Sequence, residues 1–471
     1  MEKQIEFILN NKTVFAKVNP AKSLLDFLRK EKHLHGPKEV CKEGDCGACT
    51  VLIGELREGK IIYRNVASCV YPMGNVQGKH VVTIEGLNTE GLNFIQRHFA
   101  EESAAQCGYC TPGYIASLTS YFLFNSEYRK ETAFKAISGN VCRCTGYGSI
   151  KRAVVNMVEE ISSSPTSVND RVRFLIDKKV LPDYFKSIPE RLKKLENKKE
   201  NGEVEGKPIG GGTDLLVQIP DKLLGEELFF LREEQHGKIE EKDGKIIVAA
   251  ETTFAEFGES EMMKKLFPEI EKMLDLMASP LIRNTATLGG NIVNASPIGD
   301  FTIILLALKS SLLLRDTEGN EREIKLQDFY RAYKTLDLKD NEIVKEIIFP
   351  KPPAGFKFNF EKVSKRTHLD IASVNSAIAI VTENNVIKEI GLSAGGVAPV
   401  PKYLSVAAEY LEGKSVKKEI IAEASEIAMN EISPISDVRG SAEYKRLLLG
   451  RLIKAHFIQL FPELIKAEEL L

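Results

Sequence analysis

Apolar and polar residues alternate from the first residues of the chain. Residues 4–9 (QIEFIL) and 13–18 (TVFAKV) follow period two and predict two strands, joined at Asn-Asn-Lys by a hairpin turn. Ser23 is a helix-capping residue type, and Leu24, Leu25, Phe27 and Leu28 after it predict a short helix over 24–30 with those four facing inward. Strands are expected at 50–53, 61–64 and 80–84, giving a small half-open sheet with one helix. From Leu87 to Glu160 the period becomes helical. Helices are expected at 91–102, 113–125, 129–137 and 149–160, together a four-helix bundle.

The stretch 161–170 (ISSSPTSVND) is polar and predicts an interdomain linker, with a second region opening near Arg171. Residues 191–207 are highly charged and predict a solvated helix and loop. Strands and short loops are expected across 303–349, up to the proline cluster after Phe349. Strands near 356–362, 373–381 and 387–395 follow, with a turn at Asn384-Asn385, then helices at 402–411, 415–431 and 439–460. In the last, Leu447, Leu448, Leu452, Ile453, Phe457 and Leu460 recur at helical spacing and are expected in a core. No internal repeat is found.

Composition adds bounds. A length of 471 residues suggests about three domains. The 64 basic and 66 acidic residues leave a net charge of −2, which gives no reason to expect nucleic acid or an anionic membrane as partner. The N-terminal residues lack the basic start, apolar run and cleavage site of a secretory signal. The longest apolar runs, such as Ile303–Leu308, fall far short of the roughly 18–20 residues of a membrane span. A soluble, cytoplasmic protein is expected.

The chemistry is concentrated in eight cysteines, all between Cys41 and Cys144. Cys41, Cys46 and Cys49 form C-x4-C-x2-C, with Cys69 alone further on. Cys107 and Cys110 form C-x2-C, and Cys142 and Cys144 form C-x-C. Clustering of this kind in a long chain favours metal over disulfides. The first set has the spacing of a plant-type [2Fe–2S] ferredoxin. C-x2-C with a distant C-x-C can also build a four-thiolate zinc site, so zinc stays open as the second reading. Gly44 and Gly47 let the backbone curl around a cluster, with amide N–H groups turned toward the sulfides. The second set precedes two predicted helix starts, one marked by Pro112, which places its cluster at one end of the bundle.

Two loops after residue 207 have phosphate-binding character. Lys207-Pro208-Ile209-Gly210-Gly211-Gly212-Thr213-Asp214-Leu215 runs from a short strand into three glycines. It is neither a Walker loop nor G-x-G-x-x-G, so the P-loop and classical Rossmann folds are not supported. Residues 283–300 form a second stretch of small and polar residues, read as a turn array. Each loop taken alone is equally a plain structural turn; two in one domain make a ligand containing a diphosphate the other open reading.

Three segments of the iron–sulfur region, SLLDFLRKEKHLHGPKEVCKEGDCGACTV, QCGYCTPGYIASL and GNVCRCTGYGSI, resemble the iron–sulfur portion of the molybdenum hydroxylases. IGGGTDLL, ATLGGNIVNASPIGD and DVRGSAEYKRLLL are similar to the FAD-binding portion of that family and its C-terminal extension. The resemblance implies a multidomain α+β chain. Residues 1–86 would form a β-grasp [2Fe–2S] domain and 87–160 a helical [2Fe–2S] domain. Residues 171–350 would form an FAD domain of the vanillyl-alcohol-oxidase type, and 357–470 a C-terminal α+β domain.

The resemblance also implies roles. Cys41, Cys46, Cys49 and Cys69 would bind one cluster, and Cys107, Cys110, Cys142 and Cys144 the other. Gln106 would meet a molybdopterin cofactor held by a partner subunit. Pro208, Ile209, Gly210, Gly211, Gly212, Thr213, Asp214 and Leu215 would hold the FAD pyrophosphate. Thr287, Gly290, Asn291 and Asp300 would form the second FAD loop, with Lys362 against the flavin. Met277 stands where relatives place an aromatic residue beside the ring, and Thr287 keeps the hydroxyl of their serine. Asp370 would border the flavin where NAD+ docks, where relatives often carry two adjacent acids. Electrons would pass from molybdenum through both clusters to FAD and NAD+ during hydroxylation of a purine, in a heterotetramer of two small and two large subunits. The same wiring would serve an aldehyde or another N-heterocycle. A reading of a different class is a zinc-stabilised FAD-binding protein.

Overall fold

The computed structural model describes residues 2–125, 127–162, 171–196, 206–231 and 237–470. The linker expected at 161–170 and the charged stretch at 191–207 lie mostly outside these residues, at 163–170 and 197–205. The chain divides into two compact units, residues 1–230 with 279–285, and residues 231–278 with 286–471.

The first unit begins with a five-stranded sheet. Strands β1 (Lys3–Leu9), β2 (Lys12–Val18), β3 (Thr50–Arg57), β4 (Lys60–Ala67) and β5 (His80–Val82) stand in the order β2-β1-β5-β3-β4. β1 and β2 form the expected hairpin, and Asn10 takes the positive φ that its turn requires. Ser23 accepts a hydrogen bond from the Asp26 amide and starts the short helix Leu24–Asp26, which continues as the wider turn Phe27–Glu31. Leu24, Leu25, Phe27 and Leu28 are all buried, as their spacing predicts.

Four helices follow, Phe94–Glu101, Thr111–Phe124, Lys130–Ala136 and Gly148–Ser162. Asn93 caps the first through a reciprocal bond with Gln96, and Pro112 sits in the first turn of the second. Their shared core contains Phe94, Phe99, Tyr114, Phe122, Val154 and Met157. Residues 171–187 add Leu175, Val180 and Phe185 to the same core. The unit is completed by the parallel pair β6 (Lys207–Ile209) and β7 (Leu228–Phe230) and by residues 279–285.

Among the described residues the second unit contains two larger antiparallel sheets and a two-stranded antiparallel pair, 330–332 with 335–336. One orders its strands as 321–325, 311–316, 342–350, 245–249 and 239–242. The other orders 356–363, 374–383, 386–395 and 402–403, and carries the helices Ser405–Leu411, Lys418–Asn430 and Ala442–Leu460. Asn384 and Asn385 both adopt positive φ at the expected turn.

Three expectations are corrected. Residues 303–307 belong to a helix, Asp300–Ala307, and not to a strand. Its residues 301–307 are all buried, so the helix is apolar all round and carries no period to read. The stretch 283–300 is not a turn array, since Leu288–Val293 within it is helical and capped by Thr287. In the last helix Leu447 is exposed, Leu448 and Leu460 are half-buried, and the buried position is Leu449, one residue beyond the expected face. Among the described residues no helix is long and apolar enough to cross a membrane.

Candidate iron–sulfur and flavin sites

Glycine shapes the loop that carries the first cysteine set. Gly44 and Gly47 adopt φ of +79° and +70°, which turns the chain sharply between Cys41 and Cys49. A Cβ on Gly47 would lie 2.5 Å from the carbonyl oxygen of Gly139, so the loop also needs glycine to approach its neighbour. Cys69 lies on the single turn Ser68–Val70 that follows β4. The four sulfurs meet: Cys41 shares hydrogen bonds with Cys46 and Cys69, and Cys49 with Cys69. The thiol of Cys41 is drawn below its ordinary value by the Cys46 and Cys69 side chains and by the amides of Glu43 and Cys46, against the effect of burial. Cys46 and Cys69 are pushed up by their sulfur neighbours and by burial. The Glu43 N–H lies 3.5 Å from the Cys41 sulfur, a donor aimed at the site.

The second set comes from two helix starts, as expected. Cys107 and Cys110 precede the helix Thr111–Phe124, and Cys142 and Cys144 precede Gly148–Ser162. The pairing runs across the motifs. Cys144 lies 3.6 Å from Cys107, and Cys110 shares a hydrogen bond with Cys142. Burial, together with the neighbouring Cys142, pushes the Cys110 thiol up to about 12. Burial opposes ionisation of Cys142 as well, yet the hydroxyl and amide of Thr145 and the amide of Cys144 draw it below its ordinary value. The Thr145 hydroxyl donates to the Cys142 sulfur at 3.2 Å.

Two thiolates about 2.3 Å from one tetrahedral metal lie about 3.7 Å apart, and the Cys107–Cys144 separation matches this. In the second set Cys107–Cys144 and Cys110–Cys142 are two sulfur pairs; in the first set the contacts run Cys46–Cys41–Cys69–Cys49 without a break. Among the described residues no three His, Cys, Asp or Glu side chains converge on a single ion. A two-iron cluster asks for two pairs, whereas one tetrahedral zinc asks for four sulfurs around a point. The residues present fit the two-iron group.

Within the first unit the two sets are neighbours. The Val141 N–H, one residue before Cys142, donates to the Cys46 carbonyl at 3.0 Å. Asn140 donates to the Gly47 carbonyl at 3.2 Å and accepts from Ser117 at 2.7 Å. Asn65 donates to Ser117, and Asn284 donates to Asn65 at 2.9 Å. This buried amide chain has no signature in spacing, and the sequence reading missed it. Cys49, Ala67 and Val70 pack in one apolar cluster with Ile209, Leu216 and Leu281.

The glycine loop 208–215 is part of that packing. Pro208 and Ile209 lie on β6, Gly212 takes φ of +76°, and Thr213, Asp214 and Leu215 begin the short helix Thr213–Gln218. Asn75 donates to the carbonyls of Gly210 and Gly211 at 3.1 and 3.3 Å. A Cβ on Gly211 would lie 2.0 Å from the Thr285 carbonyl oxygen, so close approach requires glycine there. Gln106 is exposed beside Cys107.

The remaining candidates lie in the second unit. Thr287 accepts from the Gly290 amide at 3.1 Å and caps Leu288–Val293. Asn291 accepts from the amide and hydroxyl of Thr302 at 3.2 and 3.0 Å. Asp300 and Lys362 form an ion pair of 2.7 Å, and Lys362 also donates to the Leu276 carbonyl, next to buried Met277. Asp370 accepts from the amides of Arg366 and Ile371, each at 2.9 Å. Burial opposes its ionisation, but these amides and the Arg366 guanidinium hold its carboxyl below the usual range. Asn375, which the sequence reading did not single out, donates to Asp300 at 2.6 Å. A polar residue inside the apolar strand run VNSAIAI was the signal that could have found it.

Comparison with known proteins defines the class. A 2Fe-2S iron–sulfur cluster binding domain matches residues 7–73, and a [2Fe-2S] binding domain matches 83–155. The FAD binding domain in molybdopterin dehydrogenase matches 184–352, and the CO dehydrogenase flavoprotein C-terminal domain matches 360–460. The chain therefore carries two [2Fe–2S]-binding domains and an FAD-binding domain. It is 27% identical to the xanthine dehydrogenase of Emericella nidulans over 87% of its own length and 35% of the relative's. It is 25% identical to aldehyde oxidase 1 of Bos taurus, over 99% of its length and 40% of the relative's. A solved carbon monoxide dehydrogenase from Hydrogenophaga pseudoflava aligns with a TM-score of 0.52 at 25% identity, covering 55% of this chain and 90% of that one. Together the four matched domains are those of the iron–sulfur and FAD portion of the molybdenum hydroxylase family. It spans about two fifths of the length of the curated relatives it matches.

Proposed function

We propose that this chain is the iron–sulfur and flavin subunit of a xanthine dehydrogenase. Cys107, Cys110, Cys142 and Cys144 would hold the cluster that receives electrons from a partner subunit's molybdenum centre, where hypoxanthine or xanthine would be hydroxylated, finally to urate. Cys41, Cys46, Cys49 and Cys69 would hold the second cluster, between the first and FAD, with NAD+ as the final acceptor. The bound groups supply one-electron transfer at the clusters and the change to hydride transfer at the flavin. The chain's own task is to hold, space and tune them. Gln106 faces the partner's pterin, residues 208–215 with Thr287, Gly290, Asn291, Asp300 and Lys362 hold FAD, and Asp370 borders the NAD+ site. The domains are read as 1–86, 87–160, 171–350 and 357–470, in a cytoplasmic heterotetramer.

One observation carries this reading. The Val141–Cys46 backbone hydrogen bond joins the two cysteine loops, and Cys49 and Val70 share one apolar cluster with Ile209 of the glycine loop. Such an order of neighbours is what stepwise transfer along a wire needs. A second reading keeps the wiring and changes the substrate to an aldehyde. The identity to an aldehyde oxidase, 25% against 27% for a xanthine dehydrogenase, favours neither strongly.

The test is co-expression with a molybdenum-binding partner subunit, followed by iron, sulfide and FAD analysis and by assays on xanthine and on an aromatic aldehyde. The proposal expects about four iron and one FAD per small subunit. It expects xanthine-dependent reduction of NAD+ faster than that of O2. Turnover of the aldehyde alone moves the assignment to the second reading. Stoichiometric zinc without iron–sulfur absorption ends both.

A further inference from the structure

Asn375 is fully buried at the start of the strand 374–383, and its environment is polarised in one direction. Its Nδ2 donates to Asp300 Oδ1 at 2.6 Å and to the Ile298 carbonyl at 3.3 Å. Both neighbours are acceptors, so the amide is oriented by them; the flipped amide would bring its oxygen against a carboxylate. The consequence is that Asn375 Oδ1 finds no donor among the described residues. A buried acceptor without a partner is disfavoured, and it persists where the donor half of the same group makes a stronger, charge-assisted bond. The acceptor is accommodated by a neighbour lacking a side chain, since a Cβ on Gly395 would lie 2.2 Å from Asn375 Oδ1.

The other oxygen of Asp300 is held by Lys362 at 2.7 Å, and Lys362 is held in turn by the Leu276 carbonyl at 2.8 Å. Asp300 is therefore clamped from two sides, by a cation on Oδ2 and by a neutral donor on Oδ1. With Lys362 alone, the carboxylate could turn about its Cα–Cβ bond. With both, its position and that of the Lys362 ammonium are determined together.

We propose that Asn375 is a positioning residue for the flavin: it acts through Asp300, locking the Asp300–Lys362 pair in the orientation that binds FAD. This rests on the reading of Asp300 and Lys362 as flavin-site residues.

The experiment is a double-mutant cycle on the full chain with its clusters in place, reading FAD dissociation by flavin fluorescence. Asn375→Ala is expected to weaken FAD binding about tenfold or more, the range of a lost charge-assisted hydrogen bond. Gly395→Ala displaces the amide without removing it, while its Cβ also meets the Pro297 carbonyl oxygen at 2.9 Å, and is expected to weaken FAD binding in the same sense. Far-ultraviolet circular dichroism and thermal unfolding report in each variant that the second unit remains folded, and the iron–sulfur signals that the first does. The decisive comparison is Asp300→Ala with Asp300→Ala/Asn375→Ala. If Asn375 acts through Asp300, the double variant binds FAD no more weakly than Asp300→Ala. Losses that multiply in the double variant would make Asn375 an independent structural residue and overturn the proposal, as would native FAD affinity in both Asn375→Ala and Gly395→Ala. Native affinity in Asp300→Ala overturns something else, the reading of the flavin site itself.

Discussion

The Val141 N–H and the Cys46 carbonyl are joined by a hydrogen bond of 3.0 Å. Val141 precedes a ligand candidate of one set, and Cys46 is a ligand candidate of the other. A single backbone contact thus ties the helical domain's cysteine loop to the ferredoxin domain's cysteine loop. Asn140 adds a side-chain bond to the next carbonyl, that of Gly47.

The close approach behind this contact depends on Gly113. A Cβ there would lie 2.2 Å from the Gly47 carbonyl oxygen. Alanine is favoured over glycine inside a helix by about 1 kcal/mol, so propensity alone predicts that Gly113→Ala stabilises the chain. Overpacking against a backbone atom costs about 1–3 kcal/mol and is expected to win. Denaturant unfolding should show net destabilisation, and electron paramagnetic resonance should show weaker magnetic coupling between the clusters. A more stable variant with unchanged coupling would contradict the role given to this contact.

Cys110→Ser and Cys142→Ser each remove one member of the same sulfur pair. Each is expected to abolish one cluster signal, to lower iron from about four to about two per chain, and to leave the other signal intact. Loss of both signals, or of neither, would show that the eight cysteines are not divided as proposed.

Gly211→Ala places a Cβ 2.0 Å from the Thr285 carbonyl oxygen. Neither atom is the end of a flexible side chain, so the glycine loop or the segment 279–285 must move. The expected result is loss of most bound FAD, read as the ratio of flavin to iron, with both cluster signals retained. A native ratio would remove this loop from the flavin site.

His80 and His456 give the chain an acid limit. Both rings are fully buried. Burial lowers each to about 3, for His80 against the raising effect of the Asn10 carbonyl and with a further lowering from Arg191. The folded chain keeps both rings neutral, while the unfolded chain takes up a proton on each near pH 6.5. Their contribution is complete above about pH 6.5 and is lost as the pH falls toward 3, at about 1.4 kcal/mol per pH unit for each ring. In His456→Gln the slope of unfolding free energy against pH between 6 and 4 should fall by about that amount. An unchanged slope would mean that His456 does not titrate on unfolding.

Much of the first unit could be read from local pattern. The β1–β2 hairpin, the Ser23 cap and the helix start at Pro112 each depend on residues within a few positions of one another. The helix Asp300–Ala307 could not be read this way, because a segment buried on every side is apolar on every side. The helix Leu288–Val293 was hidden for the opposite reason: its Gly289, Gly290 and Asn291 have turn propensities, and tertiary contacts override them. Leu447 was misjudged because three successive leucines, 447–449, leave the facing position undecided until the helix docks.

At the site, residue types and short spacings specify which atoms are present: eight thiols in two sets, glycines where a backbone must turn or approach, and polar residues suited to a diphosphate. Those properties reside in single residues and short spacings. Which sulfur stands beside which follows from the packed fold, since the pairing of Cys107 with Cys144 and of Cys110 with Cys142 runs between helix starts more than thirty residues apart. That fold alone joined Val141 to Cys46, and Asn375 to Asp300. Hydrogen bonds between distant segments are settled by how the segments pack, and packing is a property of the whole chain.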